Sequence, residues 1–120
     1  MTGISLAVVP ADNDNMGGLL KSDDRVLVLG LGQCSAAKLR EWAATLTEGF
    51  LVGIGEQPDV QRVRRELADV ENVMFTPGSR DEIPWMEFFF TAILDAEGGE
   101  ATGEMRRVLR AEGRIYSIQP

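Results

Sequence analysis

The run Arg25-Val-Leu-Val-Leu-Gly-Leu-Gly-Gln-Cys-Ser35 constrains the fold more than any other segment of the chain. Val26 to Leu29 is a short aliphatic run of the kind that forms a buried strand, and it stops at a glycine pair, Gly30 and Gly32. Helix-forming residues follow at once, beginning near Ser35 and Ala36. A strand, a glycine turn and a helix in that order build a cradle for a nucleotide-like ligand. The glycines let the backbone come close, and the helix start offers N–H groups without intrahelical partners. Tight strand-to-helix turns favour glycine for conformational reasons alone, so the remainder of the chain decides what the turn is for.

From that turn onward the sequence alternates. A helix is expected over about 36–47, with Ala36, Leu39, Trp42, Ala43 and Leu46 on one face and Gly49 ending it. Phe50–Ile54 is a second strand, continuously apolar as in a sheet covered on both faces. Pro58 and Asp59 suit the first turn of the next helix, whose buried stripe is Val60, Val63, Leu67 and Val70. Val73–Phe75, Phe88–Leu94 and Arg114–Ile118 read as three further strands, the last preceded by a helix over about 99–110. Strands alternating with helices predict an α/β, Rossmann-like fold with a mostly parallel five-stranded sheet flanked by helices. Residues 1–20 stand apart as an N-terminal extension to the domain at 21–120. Within it, Ile4–Val9 is a candidate extra strand ended by Pro10, and Ala11–Asn15 with Gly17 and Gly18 reads as a mobile linker.

Composition narrows the function. With 19 acidic and 12 basic side chains the net charge is −7, which opposes nucleic-acid backbones and anionic membranes, so neither is expected as a partner. The basic clusters Arg62, Arg64, Arg65 and Arg106, Arg107, Arg110 fall in helical patterns and read as solvated faces. No apolar run approaches the roughly 20 residues of a spanning helix, and the first residues lack a basic-then-apolar leader, so a cytoplasmic location is expected. The chain has no histidine, the commonest general base and metal ligand. Asp95, Glu97, Glu100 and Glu104 are separated by Gly98 and Gly99 and read as a solvated helix start, so no metal site is expected. The single cysteine, Cys34, excludes an internal disulfide, and with no base beside it reads as a packing residue.

Several segments together resemble the class I S-adenosylmethionine-dependent methyltransferases. Val26 to Cys34 is similar to that family's first motif, and Leu51-Val-Gly-Ile-Gly-Glu-Gln-Pro58 to its second strand and following turn. Asn72 to Trp85 resembles the third strand and its loop, and Phe88 to Leu94 the fourth strand. Glu104-Met-Arg-Arg-Val-Leu-Arg-Ala-Glu-Gly-Arg-Ile115 matches the signature that precedes the fifth. The resemblance implies S-adenosylmethionine as cofactor and a site built from Gly30, Gly32, Gln33, Glu56, Gln57, Ser79 and Arg80. It also implies an acid holding the ribose hydroxyls at the end of the second strand and an adenine beside the loop after the third. No catalytic residue is assigned. Asp95 stands at the carboxyl end of the fourth strand, where parallel sheets place their chemistry, but Asp is equally a turn residue.

The departures from the family pattern point away from catalysis. Val28 stands where the family carries an acid in the first strand, Cys34 replaces the third glycine, Gly55 aligns with the ribose acid, and Thr91 stands for an Asp. Glu56, one residue past Gly55, reaches the ribose only if a bulge turns it. The expected function is a methyltransferase-like binding or assembly module. The alternative is an active small-molecule methyltransferase whose pocket a partner chain completes. A dinucleotide-dependent oxidoreductase fits the glycine turn only loosely. The sequence ends at the fifth strand, where the family adds two antiparallel strands. That predicts an open edge covered either by Ile4–Val9 or by a second copy, and hence a homodimer or another protein partner.

Overall fold

A computed structural model describes residues 8–119. Its strands in chain order are β1 (Val8–Asp12), β2 (Arg25–Leu29), β3 (Phe50–Gly55), β4 (Val73–Pro77), β5 (Phe90–Asp95) and β6 (Leu109–Gln119). The helices are α1 (Ala36–Thr45), α2 (Gln57–Glu66) and α3 (Gly103–Val108). The strands form one sheet in the order β1-β6-β5-β2-β3-β4, and every pairing is parallel. From β2 the chain steps outward through β3 to β4, then crosses back to β5. The switch between β2 and β5 opens a crevice at the carboxyl ends of the strands, where this architecture binds ligands.

Side-chain alternation along the strands divides the core into two layers. Val26 and Val28 face Leu39 and Trp42 of α1 and Val60 and Val63 of α2. Leu27, Leu29, Val52 and Ile93 face the other way, onto Met105 and Val108 of α3 and Ile83 of the loop 78–89. That loop has no helix. It is fastened to α3 instead, with Arg107 donating to the Ile83 and Trp85 carbonyls and Glu104 accepting from Ile83 N at 3.0 Å.

The sequence predicts five strands and the sheet has six. The sixth is β1, which pairs with β6 from Val8 opposite Ile115 to Asp12 opposite Gln119. Of the predicted Ile4–Val9 strand, residues 4–7 lie outside the described residues. Pro10 does not end the strand, because at a sheet edge its missing N–H can face outward. Nor are Ala11–Asn15 and Gly17-Gly18 a linker. Asp12 caps a 3-10 turn, Asn13–Gly18, by accepting from Asp14 N, and the turn drives Met16 into the core. The fifth-strand edge offered to a second copy is therefore not exposed: β1 covers it, parallel where the resembled family is antiparallel.

Other boundaries move for local reasons. The helix predicted over 99–110 contracts to Gly103–Val108, since Gly98 and Gly99 hold positive φ and Leu109 already pairs with Phe90. Thr102 Oγ1 fixes its start by accepting from Met105 N at 3.1 Å. The strand predicted from Phe88 starts at Phe90, because Phe88 sits at φ 54°, a left-handed conformation that breaks the extended run. The far edge, β4, is blunted. Asn72 O and Gly78 N bond towards β3, so by alternation the groups of Val73, Phe75 and Pro77 face outward. Arg64 then donates twice to Phe75 O (3.0 and 2.7 Å), and Pro77 has no N–H to offer. Of the arginines read as solvated faces, Arg64, Arg65, Arg106 and Arg110 are exposed, whereas Arg62 and Arg107 are half-buried; Arg62, Arg64 and Arg107 each also satisfy a main-chain carbonyl.

Candidate functional site

Gly30 ends β2 at φ 86°, a conformation costly for any residue with a Cβ, and starts a 3-10 turn over Leu31–Gln33. The turn is held by Gln33 N donating to Gly30 O (2.9 Å) and Cys34 N to Leu31 O (3.1 Å). Arg62 Nη2 donates to the Leu31 and Cys34 carbonyls at 3.1 and 3.3 Å. Ser35 then caps α1, its Oγ accepting from Lys38 N. Cys34 is buried, and that burial, partly offset by the Arg62 charge, pushes its thiol up to about 11. We expect a thiol reagent at pH 8 to label Cys34 only after denaturant is added; rapid labelling of the native protein would contradict this packing.

A cleft of about 280 Å³ opens beyond the turn, at the carboxyl ends of β2, β3 and β4. It brings together six of the seven residues the sequence proposes: Gly30, Gly32, Gln33, Glu56, Ser79 and Arg80. Gln57, the first residue of α2, does not line it. Glu56 reaches the cleft without a bulge, since β3 pairs with β4 in unbroken register to Gly55 and Glu56 then turns the chain as the N-cap of α2. Two residues the sequence reading used only for helix starts also line it, Asp59 and Glu97. For Asp59 the signal was available: the first turn of the helix after β3 faces the same crevice as the glycine turn. Nothing local marks Glu97.

The family's acidic positions are filled by packing. Val28 is fully buried between β3 and β5. At Gly55 an ideal Cβ would stand 2.9 Å from Leu31 Cβ, so the buried Leu31 of the turn occupies the space a ribose-binding acid needs. We expect Gly55→Glu, which restores that acid by sequence, to destabilise the fold by about 1–3 kcal/mol through overpacking. Nucleoside affinity should not rise, and a melt with a parallel titration checks both.

Thr91 serves a different centre. Its hydroxyl donates to Asp24 Oδ1 (2.7 Å) and accepts from Arg25 N (2.9 Å), at the opposite end of the sheet from the cleft. Asp24 also accepts from Lys21 N and Arg114 Nη2, both at 2.7 Å. Burial alone would raise this carboxyl. The bonds from Lys21 N, Thr91 and Arg114, with the Arg114 charge, outweigh burial and hold it below its ordinary value.

Arg80 lines the cleft, but its guanidinium faces Asp95, which is fully buried. Nη1 donates to Asp95 Oδ1 (3.0 Å) and to Gly98 O (2.7 Å), and Nη2 to Glu100 O (2.8 Å). Asp95 Oδ1 also accepts from Glu97 N and Gly98 N. Its Oδ2 lies 3.0 Å from the same Nη1 but takes no hydrogen bond. Asp95 is thus the anchor of a turn, and Arg80 ties that turn to the loop after β4. Among the described residues no three His, Cys, Asp or Glu side chains converge on a metal position, and no helix is long and apolar enough to cross a membrane.

No protein-family model and no curated protein sequence matches the chain. Solved structures do. The YcgJ protein from Bacillus subtilis superposes with a TM-score of 0.72 at 21% identity, over 86% of this chain and 47% of that one. A SAM-dependent methyltransferase from Aquifex aeolicus gives 0.67 at 20% identity, over 80% and 55%. A complex of the Haloferax volcanii Trm112 methyltransferase activator with a methyltransferase gives 0.65 at 22% identity, over 80% and 45%. The fold is that of the class I S-adenosylmethionine-dependent methyltransferases, and the chain spans about half the length of these structures.

Proposed function

We propose that this chain is a methyltransferase-like module that binds an adenosine-containing ligand in the Gly30–Arg80 cleft and does not itself transfer methyl groups. The supporting observation is the pairing of a formed cleft with absent chemistry. The glycine turn, Glu56 and Ser79 converge on one crevice. Meanwhile Val28 and Gly55 replace the family's acids, and both Arg80 and Asp95 are committed to each other.

The charge of the cleft favours this ligand class over a dinucleotide. Glu56, Asp59 and Glu97 line it, the lining cation Arg80 is paired with Asp95, and Arg62 behind the turn is paired with Asp59 at 3.9 Å. A pyrophosphate at the glycine turn would face carboxylates, whereas a neutral or cationic nucleoside would not. Glu56 is the residue suited to accept from ribose hydroxyls, and Ser79 to border the base.

A second reading is an active enzyme whose pocket a partner chain completes. It is favoured by the structural neighbour found with the Trm112 activator. β1 already covers β6, so a homodimer or other partner of this chain would have to use a different surface. Calorimetric titration with S-adenosylmethionine, its demethylated product and adenosine tests the first reading. Binding of any of them without turnover supports it, turnover supports the second, and no binding up to millimolar ligand leaves only a scaffold.

A further inference from the structure

The part of S-adenosylmethionine that does not fit is its amino-acid tail. Two cavities flank the glycine turn and share Gln33. One is the 280 Å³ cleft; the other, of about 120 Å³, lies by Cys34, Lys38 and Trp42. The turn Ala96–Glu97 stands between them, with Glu97 lining the first and Ala96 the second. It crosses directly over Gly30. An ideal Cβ at Gly30 would lie 2.6 Å from Glu97 Cγ, 3.3 Å from Glu97 N and 3.4 Å from Ala96 Cβ. The Cβ side of Gly30 is thus filled by the protein itself.

The backbone of this wall is fixed in place, while the Glu97 side chain is exposed. Ala96 N donates to Leu29 O at 3.0 Å, and Asp95 Oδ1 accepts from Glu97 N (3.0 Å) and Gly98 N (3.2 Å). Arg80 holds Gly98 O and Glu100 O from the other side. A ligand with its ribose at Glu56 and its base beside Ser79 sends its 5′ substituent along the turn towards Gly30. A homocysteine or methionine tail there would meet Glu97 sterically.

We infer that the cleft is selective for an adenine nucleoside that ends at or just beyond its 5′ position, and that the Ala96–Glu97 turn excludes ligands carrying an amino-acid tail. This rests on the nucleoside-binding reading above and specifies its ligand.

The test is calorimetry on the full chain with 5′-methylthioadenosine and S-adenosylhomocysteine, which differ by the tail. The native protein should bind the first tighter by about ten-fold or more, as expected for one sterically excluded group. Glu97→Ala should narrow that gap by improving S-adenosylhomocysteine, while Glu97→Gln, similar in size, should keep most of it. Equal or tighter binding of S-adenosylhomocysteine by the native protein overturns the inference. So does a gap that Glu97→Ala leaves unchanged or that Glu97→Gln abolishes. Failure of both ligands to bind defeats the nucleoside-binding reading itself, and this inference with it.

Discussion

Asp95→Ala is expected to lower unfolding stability by about 3–5 kcal/mol, the usual result of removing one member of a buried ion pair. That is a large share of the roughly 5–15 kcal/mol by which a domain of this size is stable. The reason is local. Asp95 is fully buried, and its loss leaves the Arg80 guanidinium, only 18% exposed, without its counter-charge. It also removes the acceptor for Glu97 N and Gly98 N. The turn that walls the cleft would loosen, so nucleoside affinity should fall together with stability. Arg80→Ala should cost a similar amount, because it strands a carboxylate in the core. The double variant should cost well under the sum of the two, since both break one interaction. Urea unfolding of the four proteins measures this, and additive losses would mean that Arg80 and Asp95 are not coupled.

Asp24→Ala should be comparably damaging, again about 3–5 kcal/mol, with no effect expected on the cleft at the opposite end of the sheet. Asp24 gathers Lys21 N, the Thr91 hydroxyl and Arg114 from three separate stretches of chain, so its removal unpairs all of them. A pH signature accompanies it. The native carboxyl titrates below its ordinary value of 3.8. Its stabilising contribution is therefore complete above that value and is lost as pH falls through the lower native one. Asp69 and Glu104, held low by hydrogen bonds from Arg40 and Arg107, lose stability in the same direction. The melting temperature of the native protein should fall below about pH 4, and that of Asp24→Asn should fall less steeply. Parallel acid profiles for the two proteins would remove Asp24 from the account.

The sequence by itself determined the alternation of strands and helices, the order of the motifs and the glycine turn. These are encoded locally: an aliphatic run such as Val26–Leu29 must be buried, Gly30 alone tolerates its backbone angles, and Ser35 caps the helix that follows. The family resemblance picked out seven candidate site residues, and six of them line one cleft, because every strand of a parallel sheet delivers its carboxyl end to the same side.

What the tertiary structure decided depends on residues far apart in the chain. Ala11–Asn15 looks like a linker until β6 supplies a partner for β1 and the core receives Met16. Arg62 and Arg107 look fully solvated until the carbonyls they reach are in place. Arg80 looks like a ligand contact, but Asp95, brought beside it by the parallel sheet, claims its charge. The closure of Gly30 by Glu97 and of Gly55 by Leu31 is likewise a matter of packed volume. Sequence patterns record which side a residue faces, whereas what already occupies the space in front of it is settled only when the whole chain is folded.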